Sequence, residues 1–304
     1  MIAEWRERRT QSRLRKLCVP RARFVADVVG AVQAGQGYAA GKIGRSQQHW
    51  MYYEIVLRQH PAAREQFERE LYFHGLKQCG VFPGDPAFYL RFNEFYMPHV
   101  RALDALGLFH DAREWELIQH YGLTNRLVYY EDQEPDRTAR GDCYLPAFAG
   151  KRVLLICPFA SLLQQRATKE IYEAVWAKTG AKWFAPASVA AVEFPYGFAP
   201  ATQQQYPTAL ELFAAITAQV DRQEYDVALI AASGLGIPLA AHCKQAGKVA
   251  IELGGHLQIL FGVLGARWRQ WKEWQQAYVT DAWIDMPPQY RPQETDVCDA
   301  GAYW

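Results

Sequence analysis

The chain has 304 residues, enough for one or two domains, and half of them are hydrophobic, which excludes overall disorder. Lys plus Arg number 33 and Asp plus Glu number 32, so the formal net charge of +1 excludes a protein that generally seeks polyanions, and we expect no nucleic-acid partner. No apolar run approaches the roughly 18 residues of a membrane-spanning helix. The six cysteines form no CxxC pair, and we interpret them as reduced intracellular thiols.

The first 23 residues are the one strongly basic segment of the chain. They hold eight Arg and Lys residues against Glu4 and Glu7, and they lack the apolar run of a secretory signal. We interpret the segment as a solvated helix, with a helix at the membrane surface as the alternative. The expected location is therefore the cytoplasm, either free or in peripheral contact with a membrane.

The N-terminal part, residues 1–135, is predicted to be mainly helical. Apolar residues recur at helical spacing, and Asp111 is suited to cap a helix that runs to Tyr121. The polar segment Glu131–Arg137 is predicted to be a loop that ends this part. The other predicted helices cover residues 24–32, 49–57, 62–78 and 87–106.

Short apolar strands alternate with helices in the second part, residues 150–304. This alternation predicts right-handed βαβ units and a parallel sheet. We therefore expect an α/β fold with a Rossmann-like, mostly parallel sheet flanked by helices, against which the helical N-terminal part folds as one compact unit. The predicted strands are 151–156, 189–192, 225–230 and 248–253, and the predicted helices are 162–178, 208–222 and 237–245.

The strongest local motif is the turn Ser233–Gly236, which separates a predicted strand from a predicted helix. Glycines let a backbone approach a ligand, and a helix N-terminus offers N–H groups to phosphate. Leu239 occupies the place of the third glycine in a dinucleotide fingerprint, which argues against NAD. Glu252 ends the next strand, where a carboxylate can accept hydrogen bonds from ribose hydroxyls. An ordinary βα turn remains an equally good interpretation.

Two further glycine turns are expected at the same edge of the sheet. Gly254 and Gly255 follow the last predicted strand, and His256 and Gln258 open a helix after them. The other turn is the segment Gly41–Gln47, in which a Lys and an Arg stand beside a predicted helix N-terminus that Ser46 can cap. Such cations suit a diphosphate, although a basic turn between helices is the simpler interpretation of this segment alone.

Taken in order, these segments resemble the bacterial glycosyltransferases of the GT-D fold, including relatives from polysaccharide gene clusters that also end in Tyr-Trp. The resemblance covers roughly residues 35–60 and 150–304, whereas residues 61–135 match only in being helical. Its most specific part is the stretch from Gly254 to Gly262. The segments that carry the resemblance are Gly41–Gln47, Lys151–Ala160, Asp226–Ile230, Gly234–Ala241, Gly254–Gly262 and Ala302–Trp304.

The resemblance implies a nucleoside-diphosphate-sugar donor, with UDP preferred, and a glycan or glycolipid acceptor. It implies three catalytic residues, which are Glu252, His256 and Arg45. Glu252, His256 and Glu54 are the candidates for the general base. The implied donor-binding residues are Lys42, Gly44, Ser46, Gln47, Pro158, Phe159, Ser233, Gly234, Leu235, Gly236, Gly254, Gly255 and Gln258.

The family often holds a divalent metal through an Asp-x-Glu element, and the chain departs from that pattern. The corresponding positions are Arg45, Ser46 and Gln47, so the acidic ligands expected for Mn²⁺ or Mg²⁺ are absent. A guanidinium can neutralise a diphosphate without metal. The sequence therefore predicts either metal-independent transfer with no metal ligands or a degenerate enzyme.

Two other classes of function compete with glycosyl transfer. The first is a catalytically silent nucleotide-sugar-binding or scaffold subunit of a polysaccharide assembly system, which the missing carboxylates favour. The second is a nucleotide-dependent oxidoreductase, which the incomplete fingerprint disfavours. The aromatic residues of the C-terminal tail, residues 281–304, are expected to pack against the sheet, either as simple core cover or beside the donor cleft.

Overall fold

In the computed structural model, seven parallel strands form one central sheet with helices on both faces. The structure describes residues 2–135, 141–292 and 301–304, and side chains from residue 9 onward. The predicted α/β, Rossmann-like fold is therefore confirmed. The strand order is β3-β2-β1-β7-β6-β4-β5, and the strands are β1 (Tyr38–Lys42), β2 (Ala105–Leu108), β3 (Arg126–Tyr129), β4 (Arg152–Ile156), β5 (Ser188–Val192), β6 (Val227–Ile230) and β7 (Val249–Glu252).

Fourteen α-helices are present in the described ranges, together with short 3-10 turns and a π-helix at Tyr72–Gln78. They are α1 (Ile2–Leu17), α2 (Arg21–Ala34), α3 (Gln48–Gln59), α4 (Arg64–Leu71), α5 (Pro86–Ala102), α6 (Ala112–Tyr121), α7 (Ala160–Arg166), α8 (Lys169–Val175), α9 (Pro200–Gln205), α10 (Ala209–Val220), α11 (Gly236–Gln245), α12 (His256–Leu260), α13 (Ala266–Arg269) and α14 (Lys272–Tyr278). None of the described helices is both long and apolar enough to cross a bilayer.

The N-terminal part is not only helical, because it supplies three of the seven strands. β1 is an inner strand of the sheet, where Ala40 pairs with Ala105 on one side and with Ile251 on the other. β2 and β3 extend the sheet outward from it. A single sheet therefore runs through both parts of the chain.

The strand β1 is built from small residues because a helix packs closely on it. A Cβ atom on Gly41 would lie 3.2 Å from Cγ1 of Ile237 in α11, and Ala39 and Ala40 are fully buried. Ala and Gly have low strand propensity, so the segment Tyr38–Lys42 carries no strand signal of its own. Tertiary contacts decide its conformation.

Successive residues of the inner strands point into two different cores. In β4, Leu154 and Ile156 pack with α3, α5, α10 and α11 on one face of the sheet. Val153 and Leu155 pack with α2, α7, α8 and α12 on the other face. Burial on both faces is the reason that these strands are continuous apolar runs, as expected for a parallel sheet.

Three local predictions are wrong. The helix expected over 87–106 ends at Ala102, and residues 105–108 form β2 instead. The helix expected over 162–178 is two helices, and the hydroxyl of Thr168 accepts the N–H of Ile171 at the start of the second. Ser46 does not cap α3, because its hydroxyl donates to Oε1 of Gln78 at 2.5 Å.

The end of the chain packs against the sheet domain, as predicted. The ring of Trp304 lies 5.3 Å from that of Tyr196 and 6.2 Å from that of Phe198, measured between centroids. A two-stranded sheet of β8 (Val263–Leu264) and β9 (Ile284–Asp285) precedes this contact. The predicted tail also includes residues 293–300, and the predicted loop Glu131–Arg137 includes 136–137, which lie outside the described residues.

Replacing Asp111 with Ala should destabilise the protein by about 1 kcal/mol, or a few degrees of Tm. Asp111 and Glu114 form a capping box at the start of α6, and Asp111 also accepts a hydrogen bond from Gln48 of α3 at 3.1 Å. Urea unfolding of the variant measures the loss. Asp111→Asn keeps an acceptor and should retain most of the stability, so equal losses in both variants would contradict the capping role.

Candidate functional site

A cleft of about 1000 Å³ lies along the carboxyl edge of the sheet. The strands β4 and β6 are neighbours in the sheet. After β4 the chain continues to β5 at the edge of the sheet, and after β6 it continues to β7 in the opposite direction. Open parallel sheets bind ligands in the crevice that such a reversal creates. The ends of β1, β4, β6 and β7 all reach this cleft, as the sequence predicted for the strands ending near Ile156, Ile230 and Leu253.

Lys42 ends β1 and contacts two other segments that border the cleft. Its ammonium donates to the carbonyl of Leu253 at 3.1 Å and lies 3.8 Å from Oε1 of Glu134. Its Nζ also lies 6.0 Å from the ring centroid of Tyr130, at the limit of a cation–π contact. One cation therefore links the ends of β1 and β7 to the segment that follows β3.

His256 and Glu134 form a close pair of ionisable side chains in the cleft. Nδ1 of His256 lies 2.7 Å from Oε1 of Glu134, and the Glu134 side chain is only 8% exposed. A carboxylate that accepts the Nδ1 proton places the lone pair of the neutral ring on Nε2. The pair has the arrangement that orients a histidine for proton transfer.

Glu134 was not predicted from sequence, because it stands in a polar segment that was interpreted as a loop. Side chains from other elements hold this segment in place. Arg21 donates to the carbonyl of Glu134 at 2.8 Å, and Gln133 donates to the carbonyl of Gly41 at 3.1 Å. The phenol of Tyr144 donates to the carbonyl of Gln133. No local sequence signal could have found a residue whose position depends on these long-range contacts.

Glu252 lines the cleft from below and is almost fully buried. Burial raises the pKa of its carboxyl, whereas the charge of Lys42 and the backbone N–H groups of Lys42 and Gly254 oppose that shift. Its Oε2 has no hydrogen-bond partner among the described residues. A group so placed is better suited to hold the turns together than to reach a ribose at the surface.

In the turn after β6, the residues beside the glycines line the cleft, but the glycines themselves do not. Ser233 and Leu235 line the cleft, whereas Gly234 and Gly236 do not. A Cβ on Gly236 would lie 2.6 Å from Cγ of Glu252, and one on Gly234 would overlap Val81. These glycines therefore permit close packing of the turn, which corrects the prediction that they approach a ligand.

The turn after β1 is held by its own polar side chains. Gln47 accepts the N–H of Gly44 at 2.5 Å and donates to the carbonyl of Ser233 at 2.7 Å. Ser233 has a φ of 46°, in the left-handed region that a residue with a Cβ rarely adopts, and this contact helps to hold it there. Arg45 is exposed at the rim, with its guanidinium 5.9 Å from the ring centroid of Phe109.

The remaining predicted donor residues also lie in the cleft. Pro158 and Phe159 follow β4, and Gly254 and Gly255 follow β7. Gln258 is fully buried, and its amide donates to the carbonyls of Val263 and Tyr303. Glu54, the third candidate base, is absent from the cleft lining and pairs with Arg58 at 2.6 Å on the outer face of α3.

The residues at the expected metal position do not fit a divalent cation. The side-chain oxygen of Gln47 is engaged by the N–H of Gly44, the hydroxyl of Ser46 is engaged by Gln78, and Arg45 adds a positive charge. Across the described ranges no group of three His, Cys, Asp or Glu residues is arranged to hold a metal.

Aromatic side chains form much of the remaining cleft wall, and sequence reasoning did not place most of them. They come from residues 268–278, from the C-terminus and from the segments that follow β2, β3 and β5, and Trp304 packs on Tyr196 and Phe198. Their only signal in the sequence was the high aromatic content. They are Phe109, Tyr130, Phe194, Tyr196, Phe198, Trp268, Trp271, Trp274, Tyr278, Tyr303 and Trp304.

Comparison of the chain with protein-family models, with curated proteins and with solved structures gives no match.

Replacing Glu252 with Gln should change how stability depends on pH. The folded-state pKa of Glu252 is raised, so the wild type loses stability as pH rises through that pKa, and the neutral amide does not. Urea midpoints measured from pH 4 to pH 9 should therefore show a gain for Glu252→Gln over the wild type that grows with pH. Glu131→Gln, an exposed carboxyl of the same cleft, is the control and should show no such trend. Parallel pH profiles for wild type and Glu252→Gln would contradict the assignment.

Proposed function

We propose that the protein is a glycosyltransferase that moves a sugar from a nucleoside-diphosphate sugar, with UDP as the preferred nucleotide, to a glycan or glycolipid acceptor of polysaccharide biosynthesis. The observation that carries the proposal is the grouping of two cations and a His–Glu pair in one cleft at the carboxyl edge of the sheet. The resemblance of the glycine turns to those of GT-D glycosyltransferases supports the same class.

Lys42 and Arg45 are the proposed partners of the diphosphate. When the bond between the anomeric carbon and the diphosphate oxygen breaks, negative charge develops on the leaving group, and cations placed there stabilise the transition state. Lys42 is already oriented by Leu253 and Glu134, and Arg45 stands at the rim where an incoming phosphate would meet it. These two charges would perform the neutralisation that a metal performs in relatives that hold one.

His256 is the proposed general base for the acceptor. The acceptor hydroxyl would give its proton to Nε2 of His256 as its oxygen attacks the anomeric carbon, and Glu134 would stabilise the resulting imidazolium through Nδ1. Glu252 is a weaker candidate, because it is only 4% exposed, whereas the side chain of His256 is 22% exposed.

A catalytically silent donor-binding or scaffold subunit is the second candidate. The absence of acidic side chains at positions 45–47 favours it, since related enzymes place metal ligands there. Hydrolysis assays with UDP, GDP, CMP and dTDP sugars, each with and without EDTA, separate the two functions. Release of sugar under either condition would exclude the silent subunit.

We also propose a cytoplasmic location with the basic end of α1 as the surface for any membrane contact. Arg15, Lys16 and Leu17 are exposed in succession, whereas Arg13 is stacked on Trp115 at 4.0 Å. Exposed cations beside an apolar side chain suit an anionic lipid surface.

Replacing Arg45 with Ala should weaken binding of a UDP-sugar by roughly 10- to 150-fold. A charge-assisted contact contributes about 1.5–3 kcal/mol, and each 1.4 kcal/mol is tenfold. Calorimetric titration measures the loss, which should be nearly absent for uridine because uridine lacks the phosphates. EDTA should leave wild-type binding intact.

The control is Arg222→Ala, an exposed arginine outside the cleft. It should bind the donor as the wild type does. A requirement for Mn²⁺ or Mg²⁺, or an unchanged affinity in a folded Arg45→Ala variant, would show that Arg45 does not replace a metal.

A further inference from the structure

One exposed aromatic ring in the cleft has no place in donor binding as proposed above. Trp271 is 52% exposed, the most exposed of the large hydrophobic side chains in the described part of the chain, and it lines the cleft. The other large exposed hydrophobic residues are Leu17, Tyr72 and Phe73, and none of these lines the cleft. An exposed tryptophan inside a concave site therefore requires an explanation that a scattered surface residue does not.

The position of Trp271 relates it to the proposed base. Its backbone N–H donates to the carbonyl of Trp268 at 3.3 Å, so it lies about one helical turn beyond Trp268. The buried ring of Trp268 lies 6.3 Å from the imidazole of His256, centroid to centroid. A ligand that extends from His256 along this wall would thus reach the exposed ring.

The neighbours of Trp271 show what kind of ligand suits it. Gln270, Lys272 and Glu273, its neighbours along the chain, are all exposed, so hydrogen-bonding side chains are available beside the exposed indole. A sugar ring has one apolar C–H face and a rim of hydroxyls, and it matches an aromatic face bordered by hydrogen-bonding groups.

We infer that Trp271 is the stacking platform of an acceptor subsite, where it binds a sugar unit of an oligosaccharide whose end lies at His256. The inference rests on the proposed transfer function, and it selects a glycan rather than a lipid portion as the part of the acceptor that the cleft recognises. A cleft of about 1000 Å³ is at the upper end of the range for single-ligand sites, which leaves room for a donor and an acceptor together.

The test uses the full chain and three series of linear tetra- to hexasaccharides, built from glucose, N-acetylglucosamine or galactose. Saturation-transfer NMR and titration should detect binding of at least one series by the wild type. Trp271→Ala should weaken that binding about tenfold or more, and Trp271→Phe should recover part of it, because an aromatic face remains. Tyr72→Ala removes a ring of similar exposure outside the cleft and should bind as the wild type does.

A parallel thermal-shift measurement with UDP keeps this inference separate from the transfer function. Trp271→Ala should keep the UDP-induced shift of the wild type, which also shows that the variant is folded. If UDP causes no thermal shift in the wild type, the proposed donor site is refuted, and the oligosaccharide result still holds by itself. The inference is overturned if no series binds, if Trp271→Ala binds as the wild type does, or if the variant loses binding only to phosphatidylglycerol vesicles.

Discussion

The pairing of β1 with β7 is the contact on which the rest of the molecule depends. Through it the three strands of the N-terminal part join the four strands that are formed after residue 150 in one sheet. The close approach of α11 restricts β1 to small side chains, and the polar contact between Asp104 and Lys244 reinforces the junction from the opposite end of the strand. Because β1 and β7 are parallel, their carboxyl ends bring Lys42 beside Leu253, and the cleft begins there.

The charges in the cleft are balanced in a way that favours an anionic ligand at the rim. Lys42 is already engaged by the buried carboxylate of Glu134, whereas Arg45 is exposed and has no carboxylate within 4 Å among the described side chains. An entering diphosphate would therefore meet Arg45 first and would compete with Glu134 for Lys42. Glu252 lies beneath, where burial raises the pKa of its carboxyl and the charge of Lys42 opposes that shift.

The sequence predicted the class of fold and the turns that form one edge of the cleft, because both depend on local patterns. Apolar runs marked the four strands after residue 150, and glycine turns marked where they end. Residues such as Tyr38–Lys42 carried no such pattern, since their conformation is set by α11 and by two neighbouring strands. Glu134 and Trp271 were missed for the same reason. Long-range hydrogen bonds position the segment that contains Glu134, and the packing of Trp268 positions Trp271.

Hydrogen exchange of backbone amides with and without a nucleoside diphosphate tests the central claim, that three turns at one edge of the sheet form a single donor site. Saturating UDP should slow exchange in residues 42–47, 231–236 and 252–258 together, because ligand binding suppresses local opening of the segments it contacts. Exchange in α6, none of whose residues lines the cleft, should stay the same. If UDP, GDP, CMP and dTDP all leave the three segments unchanged, or if protection appears only elsewhere, the cleft is not a nucleotide site.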